Sequence, residues 1–279
     1  MTRRTYSSDL SDEEWVLLEP LLPKPSVMGR PRTWSLRDIL DGIFYILRGG
    51  NAWRLMPHDL PPWETVYGYH RNWRIQGLWE ELHTTLRERI RVASGREATP
   101  SAAIIDSQSV RTTEAGGPRG YDGGKKVSGR KRHLLVDTLG LVMGVVVHEA
   151  DIQDRAGAVL LFDKVRNLFP RMQHVWADAG YTGKLIAAVK QVMGWTVEIV
   201  KHPWSGNLWT WVEKAQPAPV IEKPVGFVVL KRRWVVERTF AWLGKSRRMS
   251  RDFEALPVTS ENLVYQVMIR LMLRRLAAL

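Results

Sequence analysis

An all-helical region followed by an α/β domain is the architecture this sequence predicts, on three observations. Residues 9 to 94 repeat apolar residues at helical spacing and are punctuated by cap and stop signals. After ASGREATPS (93 to 101), which reads as a linker, short apolar runs at 102 to 106, 131 to 137, 141 to 148 and 174 to 178 replace that period with strands. Three of those runs end on a carboxylate: Asp137 leads into the turn TLG, while Asp106 and Asp178 are each followed by small residues. That is where buried strands hand their side chains to solvent. The expected division is a helical domain over 1–95 and an α/β domain over 96–279.

In the first region, LSDEEWVLLEPLL opens with Ser11 as a cap and Glu14 three residues on, and stops before Pro23. A loop, PKPSVMGRPRT, follows. Ser35 caps a second helix whose apolar residues at 36, 39, 40, 43, 44, 46 and 47 form a broad buried face, ended by Gly49 and Gly50. Pro61 and Pro62 start a third helix, WETVYGYHRNWRIQG, and Leu78 to Val92 form a fourth. A pair of helices joined by a short turn, the second carrying Thr65, Tyr69, His70, Arg71, Asn72 and Arg74, fits a helix-turn-helix reader of duplex DNA. A hairpin that only packs or dimerises fits the same pattern. Residues 1–98 hold 14 basic and 13 acidic residues, a balance that argues against strong non-specific binding by this half alone.

The second half is more basic, with 27 Lys and Arg against 16 Asp and Glu. Between the first two strands lies RTTEAGGPRGYDGGKKVSGR, whose glycines forbid a regular element and whose Lys125, Lys126 and Arg130, with Lys131 just beyond, could follow a phosphate backbone. Thr138, Leu139 and Gly140 make a tight antiparallel hairpin. DIQDRAGAVLLFDKVRNLF reads as an amphipathic helix, and ADAGYTGKLIAAVKQVM as a turn and helix after Asp178. KRRWVVERTFAWLGKSRRM reads as one further helix, with Glu237 among Arg233, Arg238 and Lys245. At about 100° per residue, Arg233, Lys245 and Arg248 share the face of Glu237, while Lys231, Arg232 and Arg238 fall further round. An ordinary ion pair between Arg233 and Glu237 is the plainer reading of that spacing.

Composition narrows the chemistry. The 279 residues are 44% hydrophobic, enough for a sizeable core. No apolar run approaches a membrane span, and the first residues hold no signal core, so a soluble, non-secreted protein is expected. There is no cysteine, and no two of the seven histidines stand three to five residues apart. A metal, if one is held, is therefore expected on oxygen ligands. The net charge of +12 makes a polyanion the first partner to consider.

Several blocks, taken in order, resemble the DDE transposases of the IS5 family of bacterial insertion sequences: IIDSQSVRTT, GKKVSGRKRHLLVDTLGLV, HEADIQDRAGA, WADAGYTG and RWVVERTFAWL. GRPRTWSLRDILDGIFYILRGGNAWRLMPHDLPPWETVYGYHRNW is similar to the helical domain that precedes the catalytic domain in that family. The resemblance implies an α/β fold with an RNase H-like catalytic domain, a mixed sheet with flanking helices, preceded by an all-α helix-turn-helix-like domain. It implies an acidic triad of Asp106, Asp178 and Glu237 that both catalyses and binds metal. DNA-contacting residues are expected at Arg233, Lys245, Arg248, Lys125, Lys126, Arg130, Lys131, Arg71 and Arg74. The family's last block departs here in two places. Leu230 stands where the family has Tyr, and Gly244 where it has Lys, with Lys245 one residue on.

Clustered carboxylates stay ionised together only when cations neutralise them, and an all-oxygen set suits Mg²⁺ or Mn²⁺, with two ions about 4 Å apart for phosphoryl transfer. The expected function is to bind the terminal inverted repeats of an insertion sequence, cut them and join them to target DNA. The expected partner is double-stranded DNA, and the expected assembly a homodimer or larger multimer on paired ends. The resemblance implies a bacterial cytoplasmic protein, on the nucleoid when bound to DNA. A stand-alone RNase H-like nuclease or resolvase, and a non-catalytic DNA-binding protein derived from a transposase, are the alternatives. Trp204, Trp209 and Trp211 could stack on unpaired bases or pack as a small aromatic hairpin.

Overall fold

The computed structural model describes residues 3–24, 32–200 and 232–279. The expectations for Trp204, Trp209, Trp211, Leu230 and Lys231 lie outside the described residues. Four helices come first: α1 (Asp12–Leu18), α2 (Leu36–Gly49), α3 (Trp63–Ile75) and α4 (Leu78–Ala93). Ser11 and Glu14 close a reciprocal capping box on α1. Ser35 Oγ accepts from Asp38 N–H at the start of α2.

The sheet follows, in the order β1 (Ala102–Arg111), β2 (Gly120–Asp122), β3 (Val127–Asp137), β4 (Val142–Glu149), α5 (Asp154–Val165), β5 (His174–Ala177), α6 (Lys184–Met193) and β6 (Thr196–Ile199). α7 (Trp234–Gly244) and α8 (Pro257–Leu276) close the chain. β3 lies between β4 and β1, antiparallel to both, while β5 and then β6 continue the sheet parallel to β1. Three antiparallel strands followed by two parallel ones is the RNase H-like order. The expected first strand is longer than its apolar run: β1 continues five residues past Asp106, because β3 supplies it with ladder partners as far as Arg111.

Strand alternation sorts the two faces. Ile104, Leu134, Val136 and Trp176 belong to the core shared with α7, α8 and the first four helices. Ala103, Ile105, Leu135, Val175 and Ala177 pack against α5 and α6. One apolar cluster thus runs from Leu10 in the helical region to Leu273 in α8. A buried ion pair ties the two regions as well. Arg91 of α4 donates to Asp137 Oδ2, while Asp137 Oδ1 accepts the N–H groups of Leu139 and Leu141 and so shapes the β3–β4 hairpin.

Three cations expected on DNA are instead structural. β3 is buried on both faces, and the chain at 249 to 255 presents carbonyls that need donors. Arg130 is fully buried and donates to the carbonyls of Pro118, Glu254 and Ala255, with Asp252 at 3.3 Å. Lys131 is buried against Asp122, Asp154 and the Ile152 carbonyl. Arg248 is buried too, donating to Glu254 Oε1 and the Asn51 carbonyl. It lies in a separate 3₁₀ turn, Arg247–Met249, because α7 stops at Gly244, so the helical angle expected for it does not apply. His70, expected on a DNA-reading face, is also buried, beside Trp53 and Trp79.

Arg130→Ala would strand a buried carboxylate and three carbonyls, and is expected to cost on the order of 3 to 5 kcal/mol, read from urea denaturation. Unchanged stability with weakened DNA binding would return Arg130 to the DNA surface. A second expectation concerns pH. Burial holds the imidazoles of His70 and His133 down at about 3, and that of His83 well below its ordinary range. The unfolded chain takes up these protons near pH 6.5, so this stability is complete above that pH and is lost as pH falls. From pH 7.5 to 6.0 the three histidines should remove about 2 kcal/mol. A smaller gain opposes this as Asp41 and Asp106, raised to about 6 by burial, begin to protonate. Equal urea midpoints at the two pH values would contradict it.

Candidate active site

Parallel pairing sets two acids side by side. β1 and β5 align Ile104 with Trp176, so two residues further on Asp106 stands beside Asp178, on the face that α7 covers. β5 ends at Ala177 whereas β1 runs on along β3. Asp106 is therefore mid-strand toward β3 yet at the sheet's limit toward β5, which leaves its carboxylate only partly covered. Asp178 caps the 3₁₀ turn Ala179–Tyr181, accepting the Gly180 N–H at 2.8 Å.

The third acid comes from above. α7 is fixed over the β3–β4 hairpin by Thr239 Oγ1 and Arg238 Nη2, which donate to the carbonyls of Gly140 and Leu139. This presents Glu237 and, one turn earlier, Arg233 to the two aspartates. Arg233 Nη2 lies 3.7 Å from Asp106 Oδ2, 3.8 Å from Asp178 Oδ2 and 3.8 Å from Glu237 Oε1. Side-chain exposure rises from 16% at Asp106 through 31% at Asp178 to 44% at Glu237, so the cluster opens toward solvent on the Glu237 side. Burial pushes the Asp106 carboxyl up to about 6; the Ser107 N–H at 2.7 Å and the charges of Arg233 and Lys125 pull it back, while Asp178 adds to the rise.

These donors suit a hard divalent cation in kind, since all are carboxylate oxygens converging on one cationic nitrogen. As placed, no three acidic or histidine side chains among the described residues stand close enough to hold one ion. Mg²⁺ needs oxygens at about 2.0 to 2.1 Å, nearer than Arg233 Nη2 allows them to approach its own position. Arg233 and a metal at that point exclude one another.

Behind the aspartates is a polar layer for which sequence spacing gave no signal. Ser107 Oγ donates to Asp154 Oδ1 at 2.9 Å, and Lys131 Nζ lies 3.2 Å from the same oxygen. Lys125 Nζ donates to the Ser107 carbonyl at 3.0 Å. His133 and His148 stack with ring centres 4.8 Å apart, and the Tyr181 hydroxyl is 3.3 Å from His133 Nδ1. α5 can lie on these rings because residue 157 is glycine: a Cβ there would come within 2.4 Å of both Nε2 atoms. Asp154 occurs in the block HEADIQDRAGA, where only an amphipathic helix was legible.

Of the other expected DNA contacts, Lys126 and Arg71 are exposed and Arg74 is half-buried. Lys245 is exposed at the C-cap of α7 and lines a cleft with Arg48, away from the acids. Among the described residues, no helix is long and apolar enough to cross a membrane.

Comparison with known proteins agrees with this fold. A family model described as the transposase DDE domain matches residues 97–272, and one described as a transposase of the IS4/5 family matches residues 10–83. The "Insertion element IS402 uncharacterized 16.2 kDa protein" of Burkholderia cepacia is 34% identical over 113 residues, covering 38% of this chain and 76% of that protein. "Uncharacterized protein y4sN" of Sinorhizobium fredii is 30% identical over 118 residues, covering 42% and 87% respectively. No solved structure matches. With an RNase H-like sheet under the DDE match and a helical region under the IS4/5 match, the chain belongs to the DDE transposases of the IS4/5 family.

Proposed function

We propose that this transposase binds the terminal inverted repeats of its insertion sequence, cuts the DNA there and joins the freed ends to target DNA. The observation that carries the reading is the convergence of Asp106, Asp178 and Glu237 on one cationic nitrogen at the limit of the sheet. In cleavage a water oxygen attacks phosphorus and the bond to the 3′ oxygen breaks; in joining, that 3′ hydroxyl attacks a target phosphorus and displaces another 3′ oxygen. Both are the same in-line exchange, so one site serves both and no covalent link to the protein is needed. DDE transposase domains use divalent metal ions; here two Mg²⁺ or Mn²⁺ ions held by the three acids would supply Lewis-acid stabilisation of charge on the phosphoryl oxygens.

The chain's own residues do the rest. Asp106, held by the Ser107 N–H, and Asp178, held by the Gly180 N–H, keep fixed positions before DNA arrives. Arg233, which cations on the acids would displace, is placed to turn to the strand being cut, where a guanidinium positions a phosphate. Lys126, Arg71, Arg74 and Lys245 contact the backbone further out, and Lys125, bonded to the Ser107 carbonyl, does so beside the acids. A homodimer or larger multimer brings two ends to adjacent sites.

Asp106→Asn, Asp178→Asn and Glu237→Gln are each expected to lower Mg²⁺-dependent cleavage of end DNA by on the order of 100-fold or more while duplex binding persists. Near-normal cleavage by any one removes that residue from the site. Arg233→Ala is expected to slow single-turnover cleavage with excess enzyme at saturating DNA; an unchanged rate would leave Arg233 as a counter-ion only.

A further inference from the structure

The C-terminal end of α2 meets the end of α7 at a seam rich in unbalanced positive charge. Arg48 Nη1 donates to the Lys245 carbonyl across this seam, and Arg248 Nη1 donates in the other direction to the Asn51 carbonyl at 3.0 Å. The backbones touch: Gly50, at φ 75°, leaves so little room that a Cβ there would lie 3.0 Å from Arg247 Cβ and 3.2 Å from its carbonyl carbon. Two adjoining clefts open on the seam and share Arg48 and Lys245, one also reaching Arg247 and the other Arg270 and Arg274 of α8.

Arg48, Lys245, Arg247 and Arg274 are all exposed. Among the described residues, Arg48, Lys245 and Arg247 have no carboxylate within 4.0 Å, and Arg274 only Glu14, at 3.9 Å. Arg274 responds to the crowding: after burial, the charges of Arg270 and Arg48 hold its pKa below the ordinary arginine value. The plain alternative is that these cations serve the negative ends of α2 and α7. Each helix C-terminus carries roughly half an elementary charge, and four cations exceed the two together. The surplus suits an external polyanion, and its source in α2, the C-cap of α7, the 3₁₀ turn and α8 gives it a two-dimensional surface.

We propose that Arg48, Lys245, Arg247 and Arg274 form a phosphate-backbone seat for duplex DNA across the seam between the helical region and α7. Lys245 alone was expected from the sequence; the other three come from folding. The seat lies at the far end of the helix that carries Glu237, so a duplex resting on it is held by both parts of the chain on its way to the acids. This rests on the reading of the chain as a DNA-end cutter, and makes Arg48 of α2 a backbone contact independent of base reading by α3.

The test uses the full chain, a 40-bp duplex of random sequence and fluorescence anisotropy in EDTA, with affinity followed against salt. Each lost phosphate contact lowers the slope of log K against log salt by about 1. Lys245→Ala with Arg247→Ala is expected to lower it by about 2, and adding Arg274→Ala by about 1 more. Arg48→Lys, which keeps the charge, should hold the wild-type slope, and Arg96→Ala with Arg166→Ala, exposed elsewhere, should leave it unchanged. Urea midpoints confirm that each variant is folded. Since the Arg247 side chain makes no hydrogen bond among the described residues, Arg247→Glu serves as a second variant and should weaken binding at least 10-fold at low salt. An unchanged slope in the folded double variant overturns the seat while metal-dependent cleavage by the wild type still supports the proposed function. A wild type that binds no duplex overturns both.

Discussion

Everything at the site depends on how β1 lies against β5. The pairing of Ile104 with Trp176 puts Asp106 next to Asp178, and it does so on the face that α7 covers. A slip of one residue would turn one carboxylate into the α5 side of the sheet, among Ala103, Ile105 and Val175. The register is secured by burial: Val175 and Ala177 face one core while Trp176 faces the other, so neither face tolerates exchange. A local pairing of two short strands thus carries the geometry of two acids 72 residues apart in the chain.

The remaining contacts keep that geometry stiff. Asp106 and Asp178 each accept a nearby backbone N–H, which leaves their second oxygens toward Arg233. Three carboxylates at such proximity repel one another, and the guanidinium of Arg233, with the charge of Lys125 acting on Asp106, offsets part of that repulsion. Asp154, through Ser107 and Lys131, braces the opposite side of β1. Burying these polar groups is costly unless each finds a partner, and Asp106, Asp178 and Lys131 do so through backbone atoms.

Local signals were legible because their causes are local. Ser11 with Glu14, Ser35 before Leu36 and the turn at Thr138, Leu139 and Gly140 work within a few residues, and the structure forms each as read. The strand-end aspartates were legible because each closes an apolar run and is followed by small residues, the imprint of a strand leaving the core. The basic runs were not. Arg130, Lys131 and Arg248 look like a phosphate track in a one-dimensional sequence, yet strand alternation and the overlying segment at 249 to 255 turn them inward as donors to carbonyls. His133 and His148 are 15 residues apart and become neighbours only through the β3–β4 pairing. α8 went unread because it is surrounded: apolar and polar residues alike are buried from Ser260 to Ile269, so no single face marks it.

That burial of α8 has a consequence for how the chain reaches its native state. α8 packs against α1, α2, α4 and β4 at once, and Glu261 accepts the Val147 N–H and pairs with Lys164. The four helices that precede the sheet therefore cannot close their apolar surface until a segment some 170 residues beyond them has emerged. Loop closure over such separations is slow, and the open surface invites chaperones or association in the meantime. In a fold closed this way, the sheet beneath Asp106 and Asp178 gains its full cover only when α7 and α8 dock on it.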